Sequence, residues 1–111
     1  MAEKIRTYRD LIVWQKSMSL VTEVYRLTRT FPKEEMYGLT SQMRRSAVSV
    51  PSNIAEGYGR NSTHDYVRFL RIAMGSLYEL ETQTEIARNL GYANNSHPES
   101  IDQSAREIER M

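Results

Sequence analysis

Cysteine is absent from this chain of 111 residues, which excludes disulfides and thiolate metal ligation. Histidine is almost as scarce. His64 and His97 are the only two, and neither follows a glutamate by three residues, as the paired Glu-x-x-His ligands of a di-iron bundle would require. With so little histidine, no Ser-His-Asp constellation can be argued from the sequence. Glycine numbers five and proline three, and no Gly-x-x-x-x-Gly-Lys loop is present. Gly57-Tyr58-Gly59 follows a helical pattern rather than a strand, so phosphate cradling by a glycine loop is unsupported. No apolar run approaches the ~18 residues of a membrane span. The polar opening, Met1 to Asp10, lacks the apolar core of a signal peptide. The expectation is a cytoplasmic protein of prokaryotic type, in which the sequons at Asn61 and Asn94 carry no weight.

What the chain does contain is helical periodicity. Its length suits one compact domain, residues 1–111, burying roughly 65% of the surface its unfolded form exposes. Four segments carry the 3.6-residue period and none alternates like a strand: about 10–30, 39–58, 63–90 and 99–110. Asp10 stands near the positive end of the first. Two apolar stripes share that first helix. Leu11, Trp14, Met18, Val21, Tyr25 and Thr28 follow a core-facing period. Val13, Leu20, Val24 and Leu27 form a neighbouring stripe. Together they cover more surface than one bundle core needs. The second stripe therefore reads either as deeper packing or as a subunit interface.

Phe31-Pro32 breaks the chain, because Pro32 disfavours helical geometry in the residue before it. The second helix then has an unusual character. Leu39, Met43, Ala47, Val50, Ile54 and Tyr58 form its apolar stripe, while Gln42, Ser46, Ser49, Asn53 and Glu56 form a small, mostly uncharged polar one. Pro51 lies inside it and should bend it by removing a backbone donor. Ser62 and Asp65 open the third helix as a capping pair, and Gly91 closes it. Val67, Leu70, Met74, Leu77, Leu80, Thr84 and Ala87 supply its core stripe. Asn94–His97 reads as loop, with Pro98 suited to a first helical turn. The last helix offers only Ile101, Ala105 and Ile108. Short loops between such segments predict an all-α, up-down-up-down antiparallel four-helix bundle with a short fourth helix.

Charge is uneven. Residues 1–75 hold 12 Lys and Arg against 7 Asp and Glu, a balance of +5, and residues 76–111 hold 3 against 7, a balance of −4. The third helix runs its charges against its own dipole, with Arg68 and Arg71 early and Glu79, Glu81 and Glu85 late. At exposed positions that opposes the helix by a few tenths of a kcal/mol per charge. Arg44, Arg45, Arg60, Arg68 and Arg71 gather on the second helix, the turn and the start of the third. They are candidates for phosphate contact through the forked guanidinium, with structural ion pairing as the competing role. No nucleic-acid-binding motif accompanies them, so any binding should be backbone-driven and salt-sensitive. Glu81 and Glu85 share a helical face, and Glu56 or Glu79 could join them around Mg²⁺. The competing role for these carboxylates is pairing with the same arginines.

Leu11-Ile12-Val13-Trp14-Gln15-Lys16, Phe31-Pro32-Lys33-Glu34-Glu35, the block Tyr37–Gly59 and Phe69–Gln83 together resemble the 23S ribosomal RNA intervening-sequence protein family. The likeness runs in order over about residues 8–92. It implies a small bacterial four-helix bundle and no enzymatic activity, cofactor or metal. The family is similar to the accessory variability protein of diversity-generating retroelements, a basic homopentamer that binds nucleic acid and a reverse transcriptase. The resemblance also implies a longer, more apolar fourth helix than Glu99–Met111 provides.

The function expected is a non-enzymatic homo-oligomer, a pentamer by that analogy. Val13, Leu20, Val24 and Leu27 would form its interface. Ribosomal RNA or another structured nucleic acid would meet the five arginines, with no membrane and no small-molecule substrate. A protein–protein adaptor without nucleic-acid binding and a carboxylate-based, metal-dependent hydrolase are the alternatives.

Overall fold

The computed structural model describes residues 4–93 and 97–111. Among them are four α-helices and no strand: α1 (Ile12–Thr28), α2 (Leu39–Tyr58), α3 (Thr63–Asn89) and α4 (His97–Glu109). Met1–Glu3, the first residues of the polar opening, and Asn94–Ser96, which carry the second sequon, lie outside the described residues.

Asp10 serves a different element from the one expected. It closes a separate single turn, Tyr8–Asp10, ahead of α1. Its carboxylate accepts from the backbone nitrogens of Arg6 and Thr7 at 2.9 and 3.1 Å, and those bonds draw its pKa below the ordinary value. The Phe31-Pro32 break is tied down by Glu35. One of its oxygens accepts from the Leu39 nitrogen at 3.1 Å, opening α2, and the other accepts from the Tyr92 hydroxyl at 2.9 Å. Tyr92, whose pKa this bond raises, also packs on Phe31 with ring centroids 5.5 Å apart. The first connection is thereby fastened to the far end of α3. That end is closed by Gly91 at φ +78°, with the Tyr92 nitrogen reaching back to the Ala87 carbonyl at 2.9 Å. Only glycine takes that backbone region without strain.

Side-chain contacts tie each helix to its neighbours. On α1 and α2, Thr28 meets Arg44 while Trp14 and Met18 share a groove with Pro51 and Ala55. Along α2 and α3, Ser76 donates to Ser49 at 2.8 Å and Gly57 faces Phe69. Lys16 pairs with Glu107 at 2.7 Å and Ser100 donates to Glu23 at 3.0 Å, joining α1 to α4. Arg88 pairs with Asp102 at 2.7 Å, joining α3 to α4.

The core corrects the reading of α1. Leu20, Val24 and Leu27, expected at a subunit interface, are fully buried inside a single chain with Met43, Val50, Leu77 and Ile101. A side chain with no exposed surface cannot meet a second copy. The stripe expected to face the core is divided: Thr28 is buried, Leu11, Trp14 and Val21 are half-buried against the core, and Met18 and Tyr25 are 44% and 37% exposed. Both stripes are apolar, so hydropathy alone did not separate them. The buried one is bracketed by Ser17 and Thr28, whose hydroxyls are satisfied by the carbonyls of Val13 and Val24 at 2.7 and 2.8 Å. That internal bonding lets polar residues extend the core stripe. Val13 is half-buried. It lines an apolar cavity of about 260 Å³ with Ile54, Leu70, Met74 and Ile108.

The small polar stripe of α2 lies toward α3. Ser46 is buried, Ser49 receives the Ser76 hydroxyl, and Asn53 donates to the Ser49 carbonyl at 2.7 Å. Gly57 lets the two helices approach closely. A β-carbon there would stand 2.8 Å from Phe69 Cβ and 3.2 Å from Tyr66 Cδ1. The short α4 still reaches the core, burying Pro98, Ile101, Ala105 and Ile108.

Candidate nucleic-acid interface

The five arginines divide into three situations. Arg44 is internal in role. Its Nε donates to Thr28 Oγ1 at 2.9 Å, and its guanidinium lies 4.4 Å from the centroid of the Tyr25 ring. Half-buried between α1 and α2, it works as a strut. Arg45, one residue on and therefore about 100° around the helix, is exposed. It stands at a polar groove with Gln42, Ser49, Glu79 and Gln83.

Arg60, Arg68 and Arg71 occupy the other end of α2 and α3. The tight approach at Gly57 sets Phe69 under the α2–α3 turn. Two guanidinium groups stack on that one ring, Arg60 at 4.7 Å and Arg68 at 4.8 Å from its centroid. Each such contact contributes about 0.5–1 kcal/mol at an exposed site. The geometric consequence is that one ring anchors a guanidinium from the turn and another from the start of α3. Arg60 also pairs with Glu56 at 2.9 Å, and Arg68 lies 3.9 Å from Asp65. Both pairs are exposed, so each is worth little and is readily exchanged for another anion. Arg71 is exposed and makes no ion pair among the described residues. A shallow concavity of about 530 Å³, lined by His64, Val67, Arg68, Arg71 and Ile72, opens beside them.

The structure therefore brings Arg60, Arg68 and Arg71 together and leaves Arg44 and Arg45 apart. Phe69, the platform, was not singled out from the sequence. Its spacing to Arg60 across a turn is invisible without the tertiary fold.

The carboxylates considered for a metal are dispersed. Glu56 is engaged by Arg60 and Glu85 by Arg88 at 3.1 Å. Glu81 sits on the α4 side, its pKa raised first by burial and then by the charges of Glu109 and Asp102. Among the described residues no group of three His, Cys, Asp or Glu side chains comes close enough to hold a metal ion, and no helix is long and apolar enough to cross a membrane.

A second surface is apolar. Tyr8, Trp14, Met18, Val21, Val48 and Pro51 line a groove of about 350 Å³ between α1 and α2. Tyr8 and Trp14 meet edge to face at 5.2 Å, fixing one wall. Tyr25, 37% exposed, extends the apolar surface along α1.

Comparison with known proteins adds two findings. The family model described as 23S rRNA-intervening sequence protein matches residues 9–111. The chain is also similar to the crystal structure of a protein of unknown function from the S23 ribosomal protein family of Bacteroides thetaiotaomicron, with a TM-score of 0.81 and 25% identity, over 89% of this chain and 93% of that one. No curated protein matches.

Proposed function

Because the chain belongs to the 23S rRNA-intervening sequence protein family, we propose that it is a non-enzymatic, cytoplasmic, up-down-up-down four-helix bundle that binds RNA through its phosphate backbone. The observation that carries this reading is the pair of arginines stacked on Phe69 with Arg71 beside them. The pairs that Arg60 and Arg68 make with Glu56 and Asp65 are exposed and readily exchanged for another anion, and fork-shaped donors suit phosphate. Three such contacts predict a salt slope of roughly −2 in log K against log salt for a single strand. Titrating RNA at several ionic strengths tests the reading. Salt-dependent binding weakened by replacing Arg68 and Arg71 supports it, and no binding at low salt refutes it.

We further propose that the protein assembles with copies of itself, a pentamer by analogy, through the α1–α2 groove rather than through Leu20, Val24 and Leu27. The apolar groove flanked by the exposed Met18 and Val48 supports this, since apolar surface on a helix pair is a common contact for another chain. The alternative, a protein adaptor without nucleic-acid binding, would use the same groove and leave the arginines idle.

A further inference from the structure

Glycine in the exposed middle of a long helix is unfavourable by about 1 kcal/mol relative to alanine. Gly75 holds such a place in α3, and a β-carbon there would meet nothing within 4 Å. Gly57 is required by Phe69 and Gly91 by its backbone, but nothing within the chain requires Gly75.

Its neighbours on the helix surface supply a reason from outside. His64, Arg68, Arg71, Gly75 and Tyr78 follow one another at spacings of four, three, four and three, which places them in one row along a helix. All five are exposed, Tyr78 by 54%. Its two cations, Arg68 and Arg71, fall in the half of the helix where positive charge opposes the dipole. The row passes the glycine and ends on an aromatic ring. Glu79 borders it and Glu85 follows it, so the attraction for an anion is confined to the first half of α3. At ~1.5 Å per residue the row is about 21 Å long, the scale of a site for about four nucleotides.

We propose that this row is a track for a single-stranded nucleic acid. Arg68 and Arg71 hold successive phosphates, Gly75 admits the strand against the helix backbone, and Tyr78 stacks a base. The proposal rests on the nucleic-acid reading above and specifies its substrate as single-stranded. A rigid duplex can touch the arginines but cannot offer an unstacked base to Tyr78.

The test is fluorescence anisotropy with a labelled octamer of oligouridine and a duplex of equal length, alongside circular dichroism and light scattering on each variant. The wild-type protein should bind the single strand more tightly than the duplex. Tyr78→Ala should weaken single-strand binding about tenfold while leaving the salt slope unchanged, because stacking releases no counterions. Tyr78→Phe should restore it. Gly75→Leu should weaken the single strand similarly with the fold intact, and Arg71→Gln should flatten the slope by roughly 0.7. Salt-dependent wild-type binding that is indifferent to Tyr78→Ala and Gly75→Leu would overturn the track and leave the backbone-binding reading standing. A preference for duplex would do the same. A change in assembly mass on Gly75→Leu would assign the face to a second copy instead, again overturning the track. Absence of any wild-type binding removes both readings.

Discussion

Gly57 and Gly75 are both helical glycines, and replacing each with alanine should move stability in opposite directions. Alanine gains about 1 kcal/mol of helix propensity at either site, largely by restricting the unfolded chain. At Gly75 that gain stands alone, because the new methyl meets open space. At Gly57 the methyl would stand 2.8 Å from Phe69 Cβ, a group anchored on the neighbouring helix rather than at the end of a flexible side chain. Relieving the clash means moving α2 from α3 or distorting Phe69, at about 1–3 kcal/mol plus the propensity gain it cancels. Gly57→Ala should therefore lower stability by about 1–3 kcal/mol, and Gly75→Ala should raise it by up to about 1 kcal/mol. For a domain of this size those changes correspond to roughly 4 °C in Tm per kcal/mol. Urea titration followed by circular dichroism measures both, and the shared unfolded-state effect cancels in their difference. If Gly57→Ala were as stable as Gly75→Ala, the close approach of α2 and α3 described above would be wrong. So would the account of how Phe69 comes to lie under Arg60 and Arg68.

Leu20→Ala should destabilise the chain by about 2–5 kcal/mol as a core cavity, whereas Met18→Asp should leave the folded chain intact and lower the assembly mass in light scattering. Arg44→Gln should lower thermal stability by about 1–2 kcal/mol through loss of the Thr28 bond and the Tyr25 contact, with RNA affinity nearly unchanged. Arg71→Gln should do the reverse. The raised pKa of Glu81 means the folded state holds its proton longer than the unfolded one. Stability therefore falls as pH rises from the ordinary glutamate value through the raised one, and Glu81→Gln should remove that part of the pH dependence in denaturation curves and be more stable at neutral pH. Glu107 is the opposite case. Lys16 depresses its pKa, so its contribution is present above the ordinary value and lost as pH falls through the depressed one, a loss that Glu107→Gln should abolish.

Much of the architecture was legible along the chain because its signals are local. The Phe31-Pro32 break, the Ser62–Asp65 cap and Gly91 punctuate the helices through backbone chemistry that acts within a few residues. Charge was legible in the same way, and the misplaced arginines of α3 drew attention before any packing was known. The facing of α1 was not legible. Two apolar stripes roughly a third of a turn apart satisfy the same periodicity, and only the shapes offered by α2, α3 and α4 choose between them. Ser17 and Thr28, polar by composition, enter the core because a helix can satisfy a hydroxyl from its own carbonyls.

The sequence by itself determined that this chain is helical, where its helices stop, and that it carries an excess of arginine without chemistry for thiols or a histidine pair. The tertiary structure alone decided that Leu20, Val24 and Leu27 lie inside and Met18 and Tyr25 outside. It also decided that Arg44 is a strut while Arg60 and Arg68 meet on Phe69. Helix formation depends on neighbours a few residues away, but burial and the company a guanidinium keeps depend on partners far off in the chain. Those partners are brought near only when the helices pack.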